Sequence, residues 1–164
     1  MSGVSEGPAM SIQTEVERLR RIPLFAQIDT SRLKLLAFTS ERLAFDKGAV
    51  LFRQGDRGDS AFLILEGSVD VVVDSANGPV TVAHLGQNAF VGEVALLCDT
   101  PRTAAVIATA ALDTLKIKKE LFFQLLRDMP QMTLEIMREL AERLNNTNKE
   151  LSAAHAKLRS AGIE

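Results

Sequence analysis

Glu93 and Arg102 are the charged side chains best placed to act together, because they lie in a largely apolar stretch, "GEVALLCDTPRTAAV". The planar guanidinium of an arginine matches two oxygens of a phosphate. A carboxylate does not bind a phosphate, but it accepts hydrogen bonds from a sugar hydroxyl, as in dinucleotide pockets. Gly92 allows a ligand to approach the backbone, and Pro101 restricts the backbone that leads into Arg102. The stretch therefore predicts a phosphate site beside a ribose site.

The alternative is a structural ion pair between Glu93 and Arg102 without a ligand, since buried arginines are usually paired. The loop favours the ligand site, because an ion pair needs neither a glycine beside its acid nor a proline before its base. A short helix beginning near Gly92 would also present amide groups to an anion. The Thr103 hydroxyl and the Ala104 amide follow the arginine directly.

The elements that must position this stretch change in character along the chain. Apolar residues at helical spacing predict two short helices before Glu41, the second capped by Asp29 or Thr30. From Glu41, short β-type runs are separated by turn signals such as "DKG", "QGDRGD" and "NGP". Helical periodicity returns at Lys118. We therefore expect a mainly β fold with flanking α-helices: a β jelly-roll (double-stranded β-helix) barrel with an N-terminal helical cap and a long C-terminal helix.

The C-terminal helix carries two heptad series, which is typical of the seam of a coiled coil. One series is Met137, Leu144, Leu151 and Leu158, and the other is Leu134, Ala141, Asn148 and His155. We expect a parallel homodimer through residues 134–158, with Asn148 setting the register. The alternative is a frayed tail, because the segment "NNTN" is poor in helix formers.

Composition argues against several classes of function. The 164 residues include 19 basic and 21 acidic side chains, so the formal net charge of −2 gives no argument for binding nucleic acid or an anionic membrane. The lone Cys98 excludes an intrachain disulfide and a multi-cysteine metal site. Two histidines, His84 and His155, do not support a metalloenzyme or a catalytic triad. We expect no catalytic or metal-binding residues and no enzymatic activity.

We expect neither a membrane span nor a signal peptide. No apolar run approaches the roughly 18 residues that a membrane-spanning helix needs. The N-terminus, "MSGVSEGPAMS", has no basic stretch followed by an apolar one and is therefore not a signal peptide. We expect a cytoplasmic protein that does not contact a membrane.

Two motifs resemble the cyclic nucleotide-binding domain family, which includes the catabolite activator protein, the regulatory subunits of protein kinase A and cyclic nucleotide-gated channels. The first motif is "VGEVALLCDTPRTAAV", which resembles the phosphate-binding cassette of the family. The second is "GDRGDSAFLILEGSVDVVV", which lies upstream of it. Two motifs in the right order are more specific than a lone glycine signature. One departure is Val91, where the family often has an aromatic residue.

The resemblance implies a role for individual residues of the cassette. Arg102 would bind the exocyclic phosphate oxygens, Glu93 would bind the ribose 2′-hydroxyl, and Gly92 would present its backbone to the ribose. The expected ligand-binding residues are Gly92, Glu93, Val94, Ala95, Arg102, Thr103 and Ala104. The expected ligand is cAMP, and cGMP is the alternative because a threonine after the arginine contacts a syn guanine in some family members.

The sequence pattern and the resemblance together predict an organisation and an output. We expect a disordered leader over residues 1–10, a cyclic nucleotide-binding domain with N-terminal helices over 11–129, and a lid and dimerisation helix over 130–164. Since the sequence ends without a helix-turn-helix, we expect a stand-alone sensor that regulates an unidentified protein and does not bind nucleic acid directly. The alternative from another class is an interaction or structural protein that kept the fold and lost the ligand.

Overall fold

The computed structural model describes residues 4–6 and 11–162. The elements, in chain order, are β1 (Val4–Glu6), α1 (Ile12–Arg20), a 3-10 helix (Pro23–Phe25), α2 (Thr30–Thr39), β2 (Glu41–Phe45), β3 (Val50–Phe52), β4 (Ser60–Glu66), β5 (Val69–Ser75), β6 (Gly78–Leu85), β7 (Phe90–Val91), α3 (Glu93–Cys98), β8 (Ala105–Ala108), β9 (Leu112–Lys118), α4 (Lys119–Asp128) and α5 (Pro130–Ser160). The chain divides into two compact units, one ending at Asp128 and the other beginning at Met129.

The strands of the described residues form two antiparallel sheets, in the orders β1-β2-β9-β4-β7 and β3-β8-β5-β6. The expected architecture is confirmed. The fold is mainly β, two helices precede most of the strands along the chain, and a long helix follows them at the C-terminus. The strands lie in two separate sheets and do not form one closed barrel.

A short first strand, β1, differs from the disordered leader expected over residues 1–10. It pairs with β2 at the edge of its sheet, with Val4 opposite Phe45 and Glu6 opposite Leu43. Three residues are too few to show an alternating pattern, so the sequence carries no strand signal there. The rest of the expected leader, residues 1–3 and 7–10, lies outside the described residues.

One hydrophobic cluster joins the two sheets. Its buried members are Phe45, Phe62, Ile64, Val69, Val91, Val106, Ala108 and Leu112. In β8 the alternation of side chains buries Val106 and Ala108 and leaves their neighbours partly exposed, as expected for a half-buried strand. Because Val91 precedes the quoted stretch and Val106 ends it, burial of these two residues fixes both ends of the candidate site.

The N-terminal helices begin at side-chain caps. The Ser11 hydroxyl accepts a hydrogen bond from the amide of Thr14 at the start of α1. The Asp29 carboxylate accepts one from the amide of Arg32, 2.8 Å away, so the cap predicted for α2 is confirmed.

The long helix α5 begins at Pro130, which is tolerated because the first helical residues have no intrahelical acceptor for their amides. Apolar side chains on this helix are 42% to 62% exposed: Leu134, Met137, Leu144, Leu151 and Leu158. The segment "NNTN" lies inside the helix, so the frayed tail is not what the structure has.

A network of partly buried ion pairs attaches α1 to the five-stranded sheet. Asp113 on β9 receives two hydrogen bonds from Arg42 on β2, at 3.1 and 2.5 Å, and one from Arg18 on α1 at 2.7 Å. Arg42 also reaches Glu15 on α1 at 3.0 Å. Burial lowers the pKa of Arg42, but the hydrogen bonds and charges of Asp113 and Glu15 outweigh burial, and the net shift of this pKa is upward. Asp113 is therefore the shared acceptor on which the attachment depends.

Replacing Asp113 by Asn should lower the free energy of unfolding by about 1–3 kcal/mol, because two guanidinium groups lose a charged acceptor. The matched control is Glu66→Gln, since Glu66 is largely exposed and makes one 3.4 Å contact with Arg18. The control should cost less than about 0.5 kcal/mol. Urea unfolding of both variants measures the difference, and equal losses would show that Asp113 has no special role.

Candidate ligand-binding site

The site begins at Gly92, which adopts the left-handed conformation with φ 82° immediately before α3. A Cβ at this position would lie 2.6 Å from Nη1 of Arg102 and 3.2 Å from the ring of Phe52. Glycine is thus required for two reasons: the backbone has a positive φ at this position, and Arg102 approaches too closely for a side chain. The sequence predicted a glycine that lets a ligand approach, and in this structure the group that approaches most closely is the arginine.

Arg102 is almost wholly buried, with 4% of its surface exposed. Its Nη1 donates to the carbonyl of Gly92 at 2.8 Å, and its Nη2 donates to the carbonyl of Ser60 at 2.6 Å. Its Nε is buried and has no hydrogen-bond partner among the described residues. The guanidinium therefore keeps one unused donor, and that donor lies out of water.

A turn between β3 and β4 holds the backbone of Arg102. The amide of Gly55 donates to the carbonyl of Arg102 at 2.8 Å, and the amide of Arg102 donates to the carbonyl of Asp56 at 2.7 Å. Gly58 in the same turn packs closely on α3, because a Cβ there would lie 2.5 Å from the Cβ of Ala95. The turn thus joins Arg102 and α3 in one local structure.

Three carboxylates offset part of the cost of burying this guanidinium. Burial lowers the pKa of Arg102, and the charges of Asp59, Asp56 and Glu93 act in the opposite direction. Glu93 is itself 2% exposed. The structure therefore brings Glu93 and Arg102 into one electrostatic environment, and both lie beside Gly92 in space. A site with a buried cation and nearby acceptors suits a ligand that carries an anionic group and hydroxyls.

The other predicted site residues lie on the two segments that flank this centre. Val94 and Ala95 belong to α3. Thr103 is exposed and Ala104 is buried, and both lie between Arg102 and β8. The direct contacts of these four residues with a ligand stay predictions.

Sequence reasoning missed the side chains and carbonyls that hold the arginine. Phe52 places its ring 4.0 Å from Cζ of Arg102, and Ser60 supplies one of the two carbonyl acceptors. The only signal was indirect, since the motif "GDRGDSAF" contains Ser60 and the turn around Asp56. Contacts through carbonyls and ring faces leave little trace in residue type, which explains the omission.

Groups of ligating side chains and long apolar helices are both absent from the part of the chain that the structure describes. No group of three His, Cys, Asp or Glu side chains in that part lies close enough to hold a metal ion. No helix within the described ranges is long and apolar enough to cross a membrane.

The cyclic nucleotide-binding domain family has a sequence model that matches residues 42–129, slightly more than half of the chain. This chain belongs to the cyclic nucleotide-binding domain family. The matched segment runs from β2 to the end of α4 and contains the whole candidate site. The resemblance of the two motifs is thereby confirmed.

Curated relatives share this domain in very different proteins. The chain is 31% identical over 133 residues to the cAMP-dependent protein kinase regulatory subunit of Dictyostelium discoideum, covering 79% of this chain and 41% of that protein. It is 32% identical over 108 residues to lysophospholipase nte1 of Neurospora crassa, covering 65% of this chain and 7% of that protein. The chain therefore spans less than half of each of these two relatives.

Solved structures with the same fold include both regulatory subunits and a catabolite activator protein. The catabolite activator protein of Thermus thermophilus is 28% identical with a TM-score of 0.67, covering 81% of this chain and 63% of that one. The regulatory subunit of a cAMP-independent protein kinase A from Trypanosoma brucei, as a triple variant bound to cAMP in its A site, is 25% identical with a TM-score of 0.69. That likeness covers 85% of this chain and 51% of the subunit.

Replacing Gly92 by Ala should lower the free energy of unfolding by about 2–4 kcal/mol, because the new methyl group both strains the backbone and meets Arg102. Gly48→Ala is the matched control: Gly48 has φ 89°, and a Cβ at Gly48 would meet no atom within 4 Å, so it tests the backbone strain alone. The control should lose about 1 kcal/mol. Urea unfolding measures both losses of stability. If Gly48→Ala lowers the free energy of unfolding as much as Gly92→Ala does, the clash with Arg102 has no effect on stability.

Proposed function

We propose that this chain is a receptor for a cyclic nucleotide, with cAMP as the preferred ligand and cGMP as the alternative, and that it has no enzymatic activity of its own. The observation that carries the proposal is the buried guanidinium of Arg102, whose Nε has no partner among the described residues. A buried donor without a partner costs about 1–3 kcal/mol, so an oxygen supplied by a ligand would be favoured there.

The exocyclic phosphate is the group that fits this donor. A phosphate oxygen would accept a hydrogen bond from Nε of Arg102, and its negative charge would be compensated by a guanidinium that is already out of water. Glu93, which repels the phosphate, would accept the hydrogen bond of the ribose 2′-hydroxyl. Glu93 would thus bind the ribose and Arg102 the phosphate, which explains why one acid and one base share the site.

The Trypanosoma brucei variant supports this assignment. Its substitutions introduce an alanine and, seven positions later, an arginine that is followed by another alanine, and that variant is bound to cAMP. Ala95 and Arg102 of this chain have the same separation of seven residues, and Thr103 stands where the variant has its second alanine. This chain thus has, without substitution, the Ala-to-Arg spacing of a cAMP-bound relative.

Thr103 leaves the choice of base open. Its side chain is exposed at the position after Arg102. In the family, a hydroxyl at this position is compatible with a syn guanine, and bacterial members with it also resemble cAMP binders. We propose cAMP as the physiological ligand, and competition between cAMP and cGMP for the same sample measures the preference.

The output would come from the C-terminal helices. We propose that α4 and α5 change their packing on binding and act as a lid over the base, because a ligand alters only an equilibrium between states that it binds unequally. The resulting arrangement would regulate an unidentified protein, with the receptor itself in the cytoplasm.

A second copy of this chain is the partner that suits α5. Its exposed apolar residues follow the heptad series of a coiled coil, and the remaining side chains from residue 144 onward are exposed too. Most of the stability of a helix in a protein comes from the packing of its apolar face. A parallel homodimer through residues 134–158 would cover that face, with Asn148 at the seam.

A ligand-free interaction protein is the alternative function, and one observation favours it. Both terminal nitrogens of Arg102 already donate to backbone carbonyls, as they would in a purely structural arginine. Binding measurements separate the two functions, because the alternative predicts no specific affinity for any cyclic nucleotide.

Arg102→Ala should weaken cAMP binding by at least about a hundredfold in isothermal titration, since a buried phosphate would lose its counter-charge. The matched control is Arg57→Ala, which removes an equal charge from an exposed position in the adjacent turn. Its affinity should stay within about twofold of the original. If Arg102→Ala is folded by circular dichroism and still binds cAMP with submicromolar affinity, the assignment of the site is contradicted. If the unsubstituted chain does not bind cAMP, the ligand-free alternative is supported.

Light scattering should give the original chain a mass of about twice 17.9 kDa. Leu144→Lys with Leu151→Lys should give a monomer, because two charges would be buried at the seam of the coiled coil. Asn146→Lys with Ala153→Lys is the control, since it adds the same charge away from both heptad series. A monomeric original chain, with and without cAMP, rules out the dimer.

A further inference from the structure

Phe52 covers one face of the candidate phosphate-binding arginine. The ring centroid lies 4.0 Å from Cζ of Arg102, a distance typical of a cation–π contact. Phe52 also stacks on Phe62, with 6.0 Å between ring centroids and 30° between the ring planes. The side chain of Phe52 is therefore held by both a buried ring and a buried cation.

Gly92 completes this arrangement. A Cβ at Gly92 would meet both Nη1 of Arg102 and the ring atoms Cε2 and Cζ of Phe52, at 2.6, 3.2 and 3.3 Å. The three residues are thus packed closely together, and they come from the end of β3, the start of α3 and the segment before β8. A side chain at Gly92 would separate the ring from the guanidinium or displace one of them.

Different groups of the Arg102 guanidinium contact different partners. Two backbone carbonyls bind Nη1 and Nη2, and Phe52 lies against the guanidinium carbon. Nε is left as the donor without a partner among the described residues. With both terminal nitrogens and one face held, the guanidinium has little freedom to turn Nε away from its position.

We propose that Phe52 is a positioning residue for the phosphate contact of Arg102. The inference rests on the proposed function, and it deepens that function by naming the side chain that orients the phosphate-binding group. Phe52 acts through the arginine and does not touch the phosphate itself. Loss of the aromatic ring would leave Arg102 charged, buried and bound to its two carbonyls, but free to tilt on the face that the ring had covered.

The test compares Phe52→Leu with Phe45→Leu. Phe45 belongs to the same hydrophobic cluster and packs edge-to-face on Phe62, so its substitution removes a ring from the same core without removing one from the guanidinium. In isothermal titration, Phe52→Leu should weaken cAMP binding roughly fivefold to thirtyfold. Phe45→Leu should change it by less than about twofold, although it destabilises the fold. Phe52→Met, whose unbranched side chain adapts to an irregular space, replaces Phe52→Leu if that variant does not fold.

A spectroscopic measurement on the free protein tests the orientation directly. The Nε–Hε signal of Arg102 in nitrogen-15 NMR should be shifted by the ring of Phe52 and protected from exchange with water. In Phe52→Leu or Phe52→Met, the signal should move toward those of exposed arginines and exchange faster. Because loss of the ring current moves the signal in any case, the exchange rate is decisive: a merely structural aromatic residue would leave the exchange of Hε with water unchanged.

The outcomes separate this inference from the proposed function. Unchanged affinity in the Phe52 variants, or an equal loss in Phe45→Leu, overturns the positioning role while cAMP binding by the original chain stands. If the original chain binds no cyclic nucleotide, the proposed function fails. The NMR measurement then still decides whether Phe52 fixes the guanidinium, and an exchange rate of Hε that is unchanged in the Phe52 variants overturns that claim too.

Discussion

A guanidinium that is nearly removed from water must have its charge and its donors compensated by the surrounding protein. Except at Nε, Arg102 meets this requirement through two backbone carbonyls, nearby carboxylates and the face of Phe52. Each compensation constrains a different segment of the chain. The left-handed Gly92, the turn at Gly55 and Asp56, and the start of β4 at Ser60 all have the positions that the buried arginine needs.

The same constraint connects the fold to the function. The hydrophobic cluster between the sheets fixes the strands that carry these segments, and its members Val91 and Val106 lie at the two ends of the cassette. Nε is the donor of Arg102 that this arrangement leaves without a partner among the described residues. In the proposed function this unused buried donor binds the anionic group of the ligand, and membership of the cyclic nucleotide-binding domain family indicates the class of that ligand.

The sequence predicted the parts of the structure that depend on residue type and period. Glycine beside an acid, proline before an arginine, and alternating apolar residues predicted the cassette and the mainly β fold. The contacts made through backbone carbonyls, such as that of Ser60, and through the ring face of Phe52 have no such signature. The three-residue strand β1 was also missed, and the two open sheets could not be told from a barrel, because strand pairing depends on residues far apart in the chain.

Whether Nε of Arg102 is the phosphate donor is tested most directly by a crystal structure of the chain with cAMP. The expected result is an exocyclic phosphate oxygen within about 3 Å of Nε, with the guanidinium of Arg102 still against the ring of Phe52 and a ribose hydroxyl on Glu93. A bound nucleotide whose phosphate lies away from Arg102, with Nε still without a partner, would contradict the assignment.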